Sequence, residues 1–368
     1  MKRDQVADMR GPKKTQQSML SLRTPEMRVP KKHPLRAIKA MADGALEAMS
    51  EKFDEMYSTV GRPSIPPEQL LKGSLLQALY SIRSERQLCE QLDYNLLYRW
   101  FLDMGGDDET FDHSTFSANR DRFMRHDVGQ QLFKEVVTRA KAENLLSAEH
   151  FSVDGSLIEA AASLKSFRKK DERPEDRPPP DDPGNPTVNF HGEKRSNETH
   201  ESTTDPEARL ARKSNGTTAK LSYCLNGMSE NRNGLLVGLC VMVATGTAER
   251  EGALKLIYNA VPGTRRITVG SDKGYDTKDF VAESRHMNAT PHVARKKHSA
   301  LDERYAGTPG YLLSQRARKL IEEAWGWMKE VGGLRKLKVV GRRRAEHVAF
   351  LVGAAFNLRR MATLLPAA

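Results

Sequence analysis

The feature that most constrains the fold of this chain is a change of periodicity near residue 146. Before that point apolar residues recur every three or four positions, as in Leu71, Leu75 and Leu79, which is the spacing of helices. After it come short β-branched runs, such as residues 266–269, separated by helical patterns. This change predicts an all-helical N-terminal domain followed by an α/β domain with a mixed sheet.

The second half of the chain predicts an ordered series of strands and helices, in which an Asn-Gly turn joins two strands as a hairpin. The series is a strand at 150–157, β-rich segments at 219–227 and 234–244, a helix at 247–261, a strand at 265–270, a helix at 277–287, a strand at 290–294, and helices at 313–331 and 345–362. The ribonuclease H-like fold has this order. We therefore expect a ribonuclease H-like mixed sheet in the catalytic domain.

Composition divides the chain into three parts. Residues 1–34 are basic and polar, and we expect a flexible arm that becomes ordered on nucleic acid, although a simple tail fits equally well. Residues 35–145 form the helical domain, which we interpret as DNA-binding, although many small helical bundles share this pattern. Residues 146–362 form the α/β domain, in which the polar stretch 165–217 predicts a long loop.

The charge of the chain favours a polyanionic partner. The net charge is +11, and each of the stretches 1–36 and 316–344 holds ten Lys and Arg against three acidic residues. A solvated surface would explain one such stretch, but two stretches beside acidic residues indicate DNA.

Other partners and compartments are disfavoured. The longest apolar run, residues 349–356, is far below the ~20 residues of a membrane helix, and no secretion signal is recognisable. Three cysteines are too few and too scattered for a disulfide framework or a zinc site, so we expect a protein of a reducing cytoplasm. No glycine-rich phosphate loop is found, so we expect no nucleotide cofactor.

Three acidic residues occupy similar settings. Asp154 lies in the first strand, Asp272 follows a strand in the segment Gly270–Asp276, and Glu322 lies in a late helix. Carboxylates are the ligands that Mg²⁺ prefers, and two such ions about 3.5–4 Å apart can cut or join a phosphodiester. Asp154 would bridge both ions, and Asp272 and Glu322 would each hold one. Alone, each acid could equally be a turn, a helix cap or a surface residue, and we read Asp276 as the cap of the next helix.

Ordered segments of the second half carry a resemblance to a known family. They are residues 153–160, 190–200, 203–208, 231–234, 245–250, 272–276 and 318–329. The chain resembles the DDE transposases of bacterial insertion sequences, from the insertion sequence 5 family and its near relatives. The family has a Tyr, Arg, Glu, Lys signature on its late helix; Arg318, Glu322 and Lys329 match it, whereas Gln315 replaces the Tyr.

The resemblance implies Mg²⁺-dependent cleavage and strand transfer at terminal inverted repeats, with Mn²⁺ as a substitute, and a homodimer or larger assembly on paired DNA ends. It also implies that Asp205 is an ancillary acid near DNA or metal. The residues predicted to contact DNA are Arg318, Lys329, Lys194, Arg195, Arg335 and Lys336. Two alternatives remain open: a metal-dependent nuclease or resolvase on the same fold, and a non-catalytic DNA-binding derivative.

Overall fold

The computed structural model describes residues 24–57, 64–170, 196–213, 217–260 and 265–365. Eight helices precede the sheet, namely α1 (Pro25–Arg28), α2 (Pro34–Glu47), α3 (Ser50–Met56), α4 (Pro67–Leu79), α5 (Glu85–Tyr94), α6 (Leu96–Phe101), α7 (Ser114–Arg125) and α8 (Val128–Ala142). Six follow within or after it, namely α9 (Ala248–Ala260), α10 (Lys278–His286), α11 (Glu303–Ala306), α12 (Pro309–Ala317), α13 (Lys319–Glu330) and α14 (Arg342–Leu364).

The central sheet has the ribonuclease H-like order that the sequence predicts. The strands of the described chain are β1 (His150–Glu159), β2 (Phe167–Lys169), β3 (His200–Ser202), β4 (Arg209–Ala211), β5 (Lys220–Glu230), β6 (Leu236–Val243), β7 (Ile267–Ser271) and β8 (Ala289–Val293). β5 is antiparallel to both β1 and β6, whereas β1, β7 and β8 are parallel neighbours. The mixed sheet with an antiparallel start confirms the predicted fold class.

Helices cover both faces of the sheet. Neighbouring strand residues point to opposite faces, and Asn226 contacts Gly252 of α9 whereas Gly227 contacts Trp325 of α13. α9 therefore covers one face and α13 the other. This explains why β5 is buried along nearly its whole length rather than on alternate residues.

The last helix joins the sheet to the N-terminal helices. α14 packs against β6 and also against α8, α4 and α2. One hydrophobic cluster consequently includes Leu35 and Phe133 from the N-terminal helices, Leu236 from β6 and Phe350 from α14. This core includes residues from both sides of position 145. The division into a helical and a catalytic domain near that position therefore stays a prediction.

Three details differ from the sequence prediction. The described part of the loop 165–217 contains β2 and β3, which pair with each other, and β4, which pairs with β5; strands of three residues are too short to show an alternating pattern. The helix predicted at 313–331 is two helices that meet at Arg318. α12 packs on β7, β8 and β1, whereas α13 packs on β1, β5 and α14.

The third difference concerns the basic arm. Residues 1–23 lie outside the described residues, but the end of the predicted arm forms α1. Glu26 of α1 accepts hydrogen bonds from Arg36 and from the indole of Trp100, so this end is attached to the helical region.

In the part of the chain that the structure describes, no helix is both long and apolar enough to cross a bilayer.

Candidate active site

The parallel register of β1 and β7 brings Asp154 and Asp272 together. Ser152 pairs with Gly270 at the ends of the two ladders, and two residues further each chain reaches its Asp. Residues in parallel register lie on the same side of a sheet, and adjacent strands are about 4.8 Å apart. Asp272 is also the cap of a short 3₁₀ turn, in which its Oδ1 accepts the N–H of Gly274 at 2.7 Å. Two predicted site residues are therefore neighbours.

The two carboxylates repel each other in a partly buried setting. Burial, and then the charges of Asp272 and Glu249, raise the pKa of Asp154 to about 7. The pKa of Glu249 is raised as well, by burial and by Asp272. Glu249 is the second residue of α9 and is exposed overall. Its Cγ nevertheless lies against Gly155, 2.5 Å from the position that a Cβ on that glycine would take. Arg250 opposes the shift at Glu249, and Lys329 interacts with Asp154, but the pKa values of both acids remain raised.

A buried hydroxyl faces the same acids. Tyr275 is fully buried, and its hydroxyl has no hydrogen-bond partner among the described residues. Burial and the charges of Asp154, Glu249 and Asp272 raise its pKa well above the usual range. Buried hydroxyls are nearly always hydrogen-bonded, and a water molecule or an ion can be the partner where the chain supplies none.

Glu322 lies on α13 beside the acid pair, but its carboxylate is not grouped with the two Asp residues. Its exposed carboxylate forms an ion pair with Arg318 at 3.3 Å. One turn later on α13, the indole Nε1 of Trp325 donates a hydrogen bond to Asp154 Oδ2 at 3.0 Å, and Lys329 Nζ donates to Ser156 Oγ at 2.6 Å. α13 is therefore docked along β1, with Glu322 at the end of the docked face.

The residues between β1 and β7 fit a divalent cation in part. Two neighbouring carboxylates, and a hydroxyl that has no partner among the described residues, offer the oxygen ligands that Mg²⁺ or Mn²⁺ takes. Within the described ranges, however, no three His, Cys, Asp or Glu side chains are close enough to hold one ion. The structure thus assembles the Asp154–Asp272 pair and leaves the third acid, Glu322, outside it.

Three of the six basic residues predicted to contact DNA, Lys329, Arg335 and Lys336, lie at or just after the C-terminal end of α13. Burial, and then the charges of Lys213 and Arg335, lower the pKa of Lys329, so cations gather there. Arg335 is ion-paired with Glu330, and Lys336 with Glu159 at 3.3 Å. Lys194 and Arg195 lie outside the described residues.

Asp205 is held inside the fold by two donors. Its carboxylate accepts the hydroxyl of Tyr223 at 2.5 Å and the backbone N–H of Gly341 at 3.2 Å, and the residue is almost fully buried. Tyr223 pairs with Ile158, four residues along β1 from Asp154. These contacts give Asp205 a structural role, and its role near DNA or metal stays a prediction.

Asp276 is not the helix cap that the sequence suggested. Thr277 caps α10 by accepting the N–H of Phe280, whereas Asp276 accepts the backbone N–H groups of Lys296 and Ala300. Asp276 therefore holds the segment after β8 in place. The prediction failed because two adjacent residues could both cap, and only the chain path after β8 decides between them.

Sequence reasoning missed Glu249 and Trp325 as parts of the site. Both lie in segments that carried the family resemblance, but neither was singled out. Trp325 could have been found from its position three residues after Glu322, which places both on one face of a helix. Glu249 offered no comparable signal, because its approach to Gly155 depends on how α9 docks on the sheet.

Comparison with known proteins supplies the family. Residues 23–122 match the family model described as a transposase domain (DUF772), and residues 277–362 match the model described as a transposase DDE domain. The second match includes Glu322 but not Asp154 or Asp272. None of the curated proteins matches the chain by sequence.

Two solved structures are distantly similar. A piggyBac transposase synaptic complex with hairpin DNA shares 8% identity at a TM-score of 0.39, over 89% of this chain and 74% of that one. The Mos1 strand transfer complex shares 13% identity at a TM-score of 0.20, over 77% of this chain and 82% of that one. Likenesses this distant carry no argument, so the family rests on the two domain models. By those matches the chain belongs to the DDE transposases of the insertion-sequence type.

Proposed function

We propose that this transposase cuts DNA at the terminal inverted repeats of an insertion sequence and transfers the freed strands to target DNA. Asp154, Asp272 and Glu322 would hold the divalent ions, Mg²⁺ with Mn²⁺ as a substitute. The observation that carries the proposal is the pairing of Asp154 and Asp272 by strand register, in a setting that raises the pKa of Asp154 to about 7. A carboxylate kept under such repulsion gains most from a bound cation.

The acids differ in the role that the structure gives them. Asp154 is central, since it neighbours Asp272 and is bonded to the helix that carries Glu322. When bound, divalent ions supply charge neutralisation at the phosphate and a more acidic attacking water or hydroxyl. Asp154 and Asp272 would hold those ions between β1 and β7 without any movement of the two strands.

Glu322 has to leave Arg318 to join the pair. Their ion pair is exposed on the Glu322 side, and such surface pairs contribute about 1 kcal/mol or less. Separating them is therefore inexpensive, and it would free the guanidinium of Arg318 for a DNA phosphate. The same step would complete the acid set and recruit a phosphate contact.

DNA would lie across α13 and the segment that follows it. Lys329, Arg335 and Lys336 group at this end, and we propose that they contact the phosphates together with Lys194 and Arg195. Strand transfer to two ends requires two active sites, so we further propose a homodimer or larger assembly on paired DNA ends. Membership of the insertion sequence 5 family is likewise a proposal, resting on the sequence segments given above.

The test uses labelled terminal-repeat DNA with Mg²⁺ and the variants Asp154→Asn, Asp272→Asn and Glu322→Gln. Each should lose cleavage. Glu323→Gln is the matched control, because Glu323 adjoins Glu322 but pairs with Arg360 on α14, and it should cleave normally. Cleavage that persists in all three acid variants would overturn the site. Cleavage by the unaltered protein without any joined product would favour the nuclease alternative.

A further inference from the structure

Trp325 joins the helix of Glu322 to the strand of Asp154. Its side chain is buried, and its indole Nε1 donates a hydrogen bond to Asp154 Oδ2 at 3.0 Å. We propose that Trp325 is a positioning residue: its N–H fixes the carboxylate of Asp154 and the distance between β1 and α13, and thereby sets the affinity of the site for a divalent ion. This inference rests on the proposed function of Asp154 as a metal ligand.

The sheet is shaped to receive this indole. Gly227 of β5 lies directly opposite Asp154 in the antiparallel ladder. A Cβ on Gly227 would stand 2.5 Å from Cη2 and 2.9 Å from Cζ2 of Trp325, far inside any real carbon–carbon contact. Only glycine at this position lets the ring lie against the sheet and reach Asp154, so position 227 and position 325 are matched.

A second bond shows that the docking is continuous. Lys329, one turn after Trp325, donates to Ser156, two residues after Asp154. Four residues of a helix span about 6 Å along its axis, and two residues of a strand span about 6.6 Å. The two hydrogen bonds are therefore spaced equally along α13 and along β1. Glu322 lies one turn before Trp325 on the same face. The Trp325 bond therefore determines how far the backbone of Glu322 lies from Asp154.

The indole suits this role because it donates a single bond from a rigid ring. Together with the backbone N–H of Gly155, a bond from the indole to one carboxylate oxygen restricts the rotation of the Asp154 carboxylate. Partners of this kind behind metal ligands typically change metal affinity by about 10- to 100-fold when they are lost. Phenylalanine at position 325 would keep most of the packing and lose only the donor.

The experiment compares Trp325→Phe with Trp327→Phe in the full-length protein. Trp327 is the matched control, since it lies on the same helix but packs on Phe356 and beneath Arg359, away from the acids. Mn²⁺ affinity is measured by electron paramagnetic resonance of free Mn²⁺, and cleavage is measured against Mg²⁺ concentration. Trp325→Phe should weaken Mn²⁺ binding about tenfold or more and raise the half-saturating Mg²⁺ to match, while the rate at saturating Mg²⁺ falls less. Trp327→Phe should change neither.

Gly227→Ala is the second perturbation. It keeps the indole N–H donor of Trp325, but the added methyl group displaces the ring. It should weaken Mn²⁺ binding in the same direction as Trp325→Phe. If Trp325→Phe or a folded Gly227→Ala binds Mn²⁺ as the unaltered protein does, the positioning role is wrong. Asp154→Asn separates the two hypotheses: unchanged Mn²⁺ binding in that variant would refute the proposed metal site itself. Lost binding in Asp154→Asn with normal binding in Trp325→Phe would refute only the role of Trp325.

Discussion

The raised pKa of Asp154 predicts that this residue destabilises the metal-free protein at neutral pH. In the unfolded chain an Asp titrates near its ordinary value of 3.8, but in the folded chain its pKa is about 7. Between these values the folded state holds a proton that the unfolded state has lost, so the free energy of unfolding decreases as pH rises. At 1.36 kcal/mol per pKa unit, the full effect is at most about 4 kcal/mol above pH 7.

Asp154→Asn should therefore stabilise the protein while abolishing cleavage. Asparagine has nearly the same shape and can still accept the N–H of Trp325, so packing is conserved. Urea unfolding in a chelator should show the variant more stable than the unaltered protein by up to about 4 kcal/mol at pH 8, with the difference disappearing near pH 4. Adding Mg²⁺ at pH 8 should stabilise the unaltered protein and leave the variant unchanged.

Asp276→Asn is a control with the opposite sign. Burial would raise the pKa of Asp276, but the backbone N–H groups of Lys296 and Ala300 outweigh it and lower the pKa instead. Asp276→Asn should accordingly destabilise the protein at pH 8. The reasoning fails if Asp154→Asn gives no stabilisation at pH 8, or if its effect is the same at both pH values.

Three further substitutions test the surroundings of the acid pair. Glu249→Gln removes one charge that raises the pKa of Asp154, so the pH profile of cleavage should move to lower pH; an unmoved profile would exclude this coupling. Tyr275→Phe removes a buried unpaired hydroxyl, so urea unfolding in a chelator should show equal or about 1 kcal/mol greater stability, and a clear loss would reveal an internal partner. Asp205→Ala leaves the hydroxyl of Tyr223 and one backbone N–H unpaired, which should cost about 2–4 kcal/mol in urea unfolding. If Asp205 has only this structural role, the folded variant still cleaves DNA; lost cleavage would support the ancillary acid.

The sequence was most informative where local pattern determines position. Asp154 lies in one strand and Asp272 directly follows another, and the apolar runs of both strands are visible in the sequence. Parallel strands that start together bring their ends together. The ribonuclease H-like order followed from the same runs and from one Asn-Gly turn. By contrast, the break at Arg318 and the approach of Glu249 to Gly155 depend on which strands α12, α13 and α9 pack against, and helix patterns alone do not contain that information.

The proposed site combines a fixed part with an adjustable part. Asp154 and Asp272 are held by adjacent strands in the interior of the sheet, so their repulsion is built in when the protein folds. Among the described residues, the carboxylate of Glu322 is bonded to Arg318 alone, and it lies on a helix whose distance from β1 is set by Trp325. A cation at the pair relieves the repulsion, and a phosphate beside Arg318 competes for its guanidinium. Metal and DNA would then favour the same rearrangement of Glu322, which makes the complete acid set depend on the presence of substrate.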